Sequence, residues 1–189
     1  MVDTIIYGSS DAGINIHSDN SEFNLKIERI SKILNTKAHI VGRLSPKLIY
    51  GPGDLEGHMG FDFRFYLLDF ARYCPPEPPK PEIKGSNLFR LLRPEFVKKY
   101  KSPLSADGFS NIGYHDNIIH NQEIREAYNY LLTDVIKESA SQIDQFISSL
   151  SSINLYDITT EIVSLLHKNG VNVRYMGLVR NALTSNDGK

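Results

Sequence analysis

The sequence predicts an α+β fold, with antiparallel strands in the N-terminal third and a helical C-terminal half. Two patterns predict it. Short apolar runs broken by Gly, Pro, Ser and Asn dominate as far as Tyr50, whereas from Gln122 to Leu150 apolar residues recur every three to four positions. Strands early and helices late, rather than in alternation, is the α+β arrangement.

Each element follows from local chemistry. Ile5–Tyr7 and Ile14–His17 read as short strands around the turn-rich Gly8–Gly13 loop. Ser18–Ser21 with Glu22 supplies capping side chains for a helix to about Leu34, with Phe23, Ile27, Ile30 and Leu34 on one face. Ala38–Val41 and Leu48–Tyr50 are short strands, the second ended by Gly51-Pro52-Gly53. Phe63–Phe70, rich in aromatics, is expected to be a buried strand entered through a turn near Phe61-Asp62. Cys74–Pro81 holds five of the nine prolines and is expected to be an extended connector inside one domain, since proline lacks the donor a central strand needs. Leu88–Leu92 and Pro94–Tyr100 are short helical pieces. The Gln122–Leu150 stripe thins at Ser139-Ala140-Ser141, where a bend is expected. Tyr156–Lys168 is a helix stopped by Asn169-Gly170, and a short final element begins at Val171. This organisation gives one domain over residues 1–183 and a flexible tail at 184–189.

Composition narrows the function. The 189 residues carry 21 Lys and Arg against 22 Asp and Glu, a net charge of −1, with one Cys and no Trp. A single Cys excludes an internal disulfide framework and a thiolate-rich metal site. The near-zero charge argues against general attraction to nucleic acid or anionic membrane. No signal peptide and no spanning segment is evident, so no membrane insertion and a reducing, cytoplasmic location are expected. The charge is unevenly spread: residues 61–101 carry nine basic and five acidic groups, and residues 102–189 carry six and ten.

Several clusters could carry chemistry. In Gly51–Arg72, Asp54, Glu56 and His58 alternate, and on a strand all three would share a face as a metal-ligand trio. Asp69 follows a strand-like run and could hold Mg²⁺ against phosphates. Alternatively, Arg64, Asp69, Arg72 and Arg174 form a structural ion-pair network. The sequence contains neither a P-loop nor G-x-G-x-x-G. His115 and His120 flank Asp116, Asn117 and Asn121, which suits a polar loop entering a helix better than a metal site. Arg90, Arg93, Lys98, Lys99 and Lys101, with Phe96 interleaved, could track an RNA backbone and stack a base, or meet an acidic protein.

Three motifs carry a family resemblance. Tyr50, Glu56-Gly57, Gly60, Asp62, Arg64, Tyr66, Leu68-Asp69, Arg72 and Pro75-Pro76 resemble the central pattern of the clustered-mitochondria (CLU) domain. Leu88–Val97 is similar to its Leu-Arg-Pro-Glu element, and Gly170–Gly177, with Arg174 and Tyr175, to its late G-[IV]-N-x-R-Y-[LM]-G motif. Asp62-Phe63-Arg64 departs from the more usual Asp-Gly-Arg, which alters the expected turn. The resemblance implies large cytoplasmic proteins that influence mitochondrial distribution and associate with messenger RNA and the translation machinery. Leu68-Asp69-Phe70 also resembles the metal-binding Asp of kinase-like folds, in which case this chain is a C-lobe without its N-lobe.

The expectation is therefore a non-catalytic interaction module binding RNA or a protein partner through residues 90–101, with no cofactor. The alternative is a phosphoryl-transfer enzyme using Mg²⁺ and ATP at Asp69, helped by Asp54, Glu56 or His58.

Overall fold

The chain divides into two units, the first formed by Met1–Leu92 with Val97–Arg125 and the second by Arg93–Phe96 with Glu126–Lys189. A computed structural model describes residues 5–112, 117–150 and 155–184. Strands lie in the first unit and the helical segments from Glu126 onward in the second, as the α+β reading expects.

The first unit contains strands β1 (Ile5–Gly8), β2 (His17–Ser18), β5 (Glu56–Met59) and β6 (Phe65–Leu68) in the antiparallel order β2-β1-β5-β6. β3 (His39–Val41) and β4 (Lys47–Ile49) form a separate antiparallel pair. Helix α1 (Ser21–Leu34) begins at Asn20, whose side chain accepts the Phe23 N–H, and ends at Asn35 in the left-handed conformation. Its buried face is Phe23, Ile27 and Ser31, while Ile30, expected inward, is exposed. The spacing of four selects this face, and buried Ser31 meets the Tyr73 hydroxyl at 2.7 Å. The core gathers Tyr7, Phe23, Ile27, Val41, Ile49 and Leu55. Phe23 lies edge-on to Phe65 with centroids 5.4 Å apart. Gly57 is required here, because a Cβ would come within 2.5 Å of the Phe23 ring.

Four sequence expectations change. The first is the helical piece at Leu88–Leu92, where the 3₁₀ turn ends at Leu88 and Leu91 lies extended on a bridge. The second strand is confined to His17–Ser18, because Asp11 gathers the Ile14 and Asn15 amides into a loop. The proline run is indeed extended, but it is also paired: Leu92 N–H bonds to Pro75 O, Glu77 N–H to Arg90 O, and Pro76 bridges Leu91. The Phe63–Phe70 run is not a buried strand. It is the edge strand β6, with only Phe65 and Leu67 turned toward the core.

In the second unit, α3 (Asn117–Tyr130), which begins in the first unit, continues through a π-helical turn at Leu131–Val135 into α4 (Ile136–Ser148). The irregularity thus falls before the Ser139-Ala140-Ser141 bend read from the sequence. Ser139 and Ala140 are buried helical residues, and Ser139 satisfies its hydroxyl on Val135 O at 2.7 Å. α4 packs against α5 (Leu155–Lys168) and α6 (Met176–Thr184). Gly170 ends α5 at positive φ, with Val171 N–H on Leu166 O and Gly170 N–H on His167 O. α2 (Pro94–Lys99) starts at a proline. The tail expected at 184–189 lies, beyond Thr184, outside the described residues.

Candidate functional site

The central motif runs through β5, the hairpin and β6, and its charged residues part into two groups. One is buried. The Asp54 carboxylate accepts Arg72 Nε at 2.8 Å and Nη2 at 2.7 Å, and the same Nη2 donates to Asp107 Oδ1 at 3.1 Å. Asp107, wholly buried, also accepts His39 Nε2 at 2.8 Å and the Gly53 amide at 2.7 Å. Burial alone would raise the Asp107 carboxyl. The hydrogen bond and charge of His39, with the charge of Arg72 and the Gly53 amide, hold it below the usual carboxylate range. The Arg72 guanidinium, despite its burial, is held above its ordinary value by Asp54 and Asp107. The network ties together β3, the Gly51–Asp54 turn, the 3₁₀ turn at Phe70–Arg72 and the loop at Ser105–Ser110. Its members hold one another: His39 and Asp107 are fully enclosed, while the Asp54 side chain keeps 35% of its surface exposed.

His120 lies beside it. Its ring meets that of His39 edge-on with centroids 5.8 Å apart, and its Nδ1 is 3.5 Å from Glu123 Oε2. Neither ring nitrogen makes a hydrogen bond. Burial lowers the imidazole below its ordinary value, and Lys37 and His39 add to the shift.

The other group is exposed. At the hairpin, Phe63 N–H bonds to Gly60 O and Gly60 N–H to Arg64 O, with Phe63 left-handed at φ 60°. This is a three-residue hairpin loop whose last position suits glycine. Here it is filled by a phenylalanine that is 86% exposed, beside Phe61 at 88%. Asp62 accepts the Tyr66 hydroxyl at 2.8 Å and the Arg64 amide at 3.2 Å. The Arg64 side chain reaches no closer than 3.8 Å to Asp62 and is 80% exposed. Tyr66, Leu68 and Phe70 are also exposed. In the alternation that starts from the Gly60–Arg64 pair, the N–H and C=O groups of Phe65 and Leu67 point to the open side of β6.

The sequence-predicted sites fare differently. Asp54, Glu56 and His58 do not converge: Asp54 serves Arg72, while Glu56 and His58 pair at 3.1 Å on β5. Asp69 is exposed, left-handed at φ 52°, and makes no cap. Among the described residues no three His, Cys, Asp or Glu side chains group to hold a metal ion, and Asp54, Glu56 and His58 do not form the expected trio. The expected Arg64–Asp69–Arg72–Arg174 network is replaced by Arg72 with Asp54 and Asp107, because Arg64 and Asp69 point to solvent. Arg174 lies over the ring of buried Tyr175 at 6.0 Å, within the second unit. In the basic segment, Arg90 pairs with Glu77, itself 2% exposed, and Arg93 pairs with Glu95 through Nε and Nη2. Phe96 is core, 6.4 Å from the Tyr130 ring, and cannot stack a base. Lys98, Lys99 and Lys101 remain exposed. His115 and Asp116 lie outside the described residues.

No described helix is long and apolar enough to cross a membrane. Residues 2–79 match the family model described as clustered mitochondria, CLU. A clustered mitochondria protein homolog of Eremothecium gossypii is 24% identical over 93% of the chain and 16% of its own length. A homolog of the same description from Vanderwaltozyma polyspora is 26% identical over 92% of the chain and 15% of its length. The clustered mitochondria protein of Arabidopsis thaliana is 33% identical over 52% of the chain and 7% of its length. The chain thus spans less than a fifth of each of these relatives. No solved structure matches it. These likenesses bear out the family resemblance that the motifs carry.

Proposed function

We propose that this chain, which carries the CLU segment of the clustered-mitochondria family at residues 2–79, is a non-catalytic interaction module that binds a protein partner through the β5–β6 hairpin. In this reading it works in the cytoplasm in the distribution of mitochondria. The observation that carries it is Phe63: a large aromatic side chain sits in a left-handed backbone position and packs against little, with Phe61 beside it. A strained, solvent-facing aromatic costs stability and returns none within the fold, so a binding role accounts for it. The buried network of Asp54, Arg72, Asp107 and His39 then serves as the support that holds the hairpin's base.

Two features favour a protein over RNA. The arginines of the 90–101 segment are engaged by Glu77 and Glu95, and Phe96 is enclosed. Against the phosphoryl-transfer alternative, Asp54 is committed to Arg72, and Asp69 faces solvent at a turn.

The test is quantitative proximity labelling in cells with the tagged chain and its Phe61→Ser/Phe63→Ser variant. The expected result is a set of proteins enriched by the wild type and lost in the variant. Equal labelling by both overturns the hairpin reading. A parallel titration with single-stranded RNA at two ionic strengths decides the rival: tight, salt-dependent binding that Lys98→Glu/Lys101→Glu removes would move the function to that lysine cluster.

A further inference from the structure

We propose that the open edge of β6 seats a second copy of this chain, joining the two four-stranded sheets across a two-fold axis at Tyr66. The inference rests on the hairpin being an interaction surface and names the partner it takes.

The edge is built for self-pairing. Its outward N–H and C=O groups belong to Phe65 and Leu67. Two copies running antiparallel place Phe65 of each opposite Leu67 of the other, with the two Tyr66 residues facing on the axis. The strand is also charged in opposite senses at its ends. Arg64, largely exposed, precedes it, and Asp69, exposed and without a cap bond, follows it. The antiparallel register sets Arg64 opposite the partner copy's Leu68, one residue from that copy's Asp69, and does so twice by symmetry. A parallel pairing would set like charges together. Enough apolar surface is available. At roughly 150–250 Å² per aromatic side chain, the exposed parts of Phe61, Phe63, Tyr66 and Phe70 come to about 550 Å² per copy. Two copies therefore offer about 1,100 Å² of exposed aromatic surface, against the ~1,000 Å² that a specific interface buries in total. An uncovered edge with apolar side chains is otherwise a hazard for uncontrolled pairing, and this one lacks the lysine or proline that commonly blocks such an edge.

Sedimentation velocity over a concentration series tests the proposal. The wild type is expected to dimerise. Tyr66→Lys, which puts two ammonium groups on the axis, is expected to weaken dimerisation at least about tenfold. Arg64→Asp and Asp69→Arg each create two like-charge encounters and are expected to weaken it. Arg64→Asp combined with Asp69→Arg restores the opposite-charge encounters and is expected to recover it. A wild type that stays monomeric at every concentration overturns the proposal, as does a dimer indifferent to all four variants. A monomer whose Phe61→Ser/Phe63→Ser variant still loses its labelled proteins would refute the second copy and leave the interaction surface standing, with a heterologous partner on it.

Discussion

His39 donates its Nε2 proton to Asp107 across 2.8 Å, and neither side chain exposes any surface. The pair closes a chain of charge that runs through Arg72 to Asp54. Removing one member of such a chain leaves a charge buried without its partner, which is far more costly than losing an exposed charge.

Asp107→Ala is therefore expected to destabilise the protein by about 3–5 kcal/mol, read from urea denaturation. Asp69→Ala, at an exposed turn but in the left-handed region where alanine is less tolerated than aspartate, is expected to cost no more than about 1 kcal/mol. A comparable loss from Asp69→Ala would mean that the central motif is organised around Asp69 instead.

Stability should fall with acid in two steps. His120 has an imidazole depressed in the folded state by burial, with Lys37 and His39 adding to the effect and Glu123 opposing it. The unfolded chain then takes up the proton more readily. The contribution of His120 is complete above its unfolded value of about 6.5 and is lost as the pH falls below it. Asp107 is depressed as well, so its contribution is complete above about 3.9 and is lost as the pH falls further. Urea midpoints measured from pH 8 to pH 3 report both steps (a pH series chosen to bracket the two values of about 6.5 and 3.9). His120→Phe should flatten the first step and leave the second. A midpoint that does not move between about pH 7.5 and 5.5 would contradict the role given to His120.

Phe63→Gly is expected to stabilise the protein by about 0.5–1 kcal/mol. It relieves a left-handed non-glycine residue that packs against little, and part of the gain is returned as backbone entropy. Thermal or urea unfolding reads the change. Destabilisation would show that the Phe63 ring contributes to folding, removing the argument that it is kept for binding.

Much of the fold is legible in the sequence where local chemistry decides it. Asn20 and Asn35 bound α1 as capping residues should, and Asn169-Gly170 stops α5. Legibility ends where distant segments decide. The aromatic run at Phe63–Phe70 reads as a core strand by composition, yet among the described residues β6 has a neighbouring strand on one side only. Ile30 and Ser31 are adjacent, and only the packing of Tyr73 shows that the serine faces inward. At the candidate site, Arg72 was legible as an ion-pair member, but its partners lie 18 and 35 residues away. Nearby Asp69 was the plausible choice on spacing alone. His39 and Asp107 carry no local signal, since a histidine in a short strand and an aspartate in a polar loop are ordinary there. Phe63 was visible as a departure from Asp-Gly-Arg, and its consequence needed the backbone φ of 60°.

The central claim is that the hairpin binds while the buried charge network only supports it. It is tested most directly by proximity labelling with the Phe61→Ser/Phe63→Ser variant, with the melting temperature taken on the same protein. The account predicts an unchanged or higher melting temperature together with loss of the labelled set. Retention of that set by a normally folded variant would contradict it.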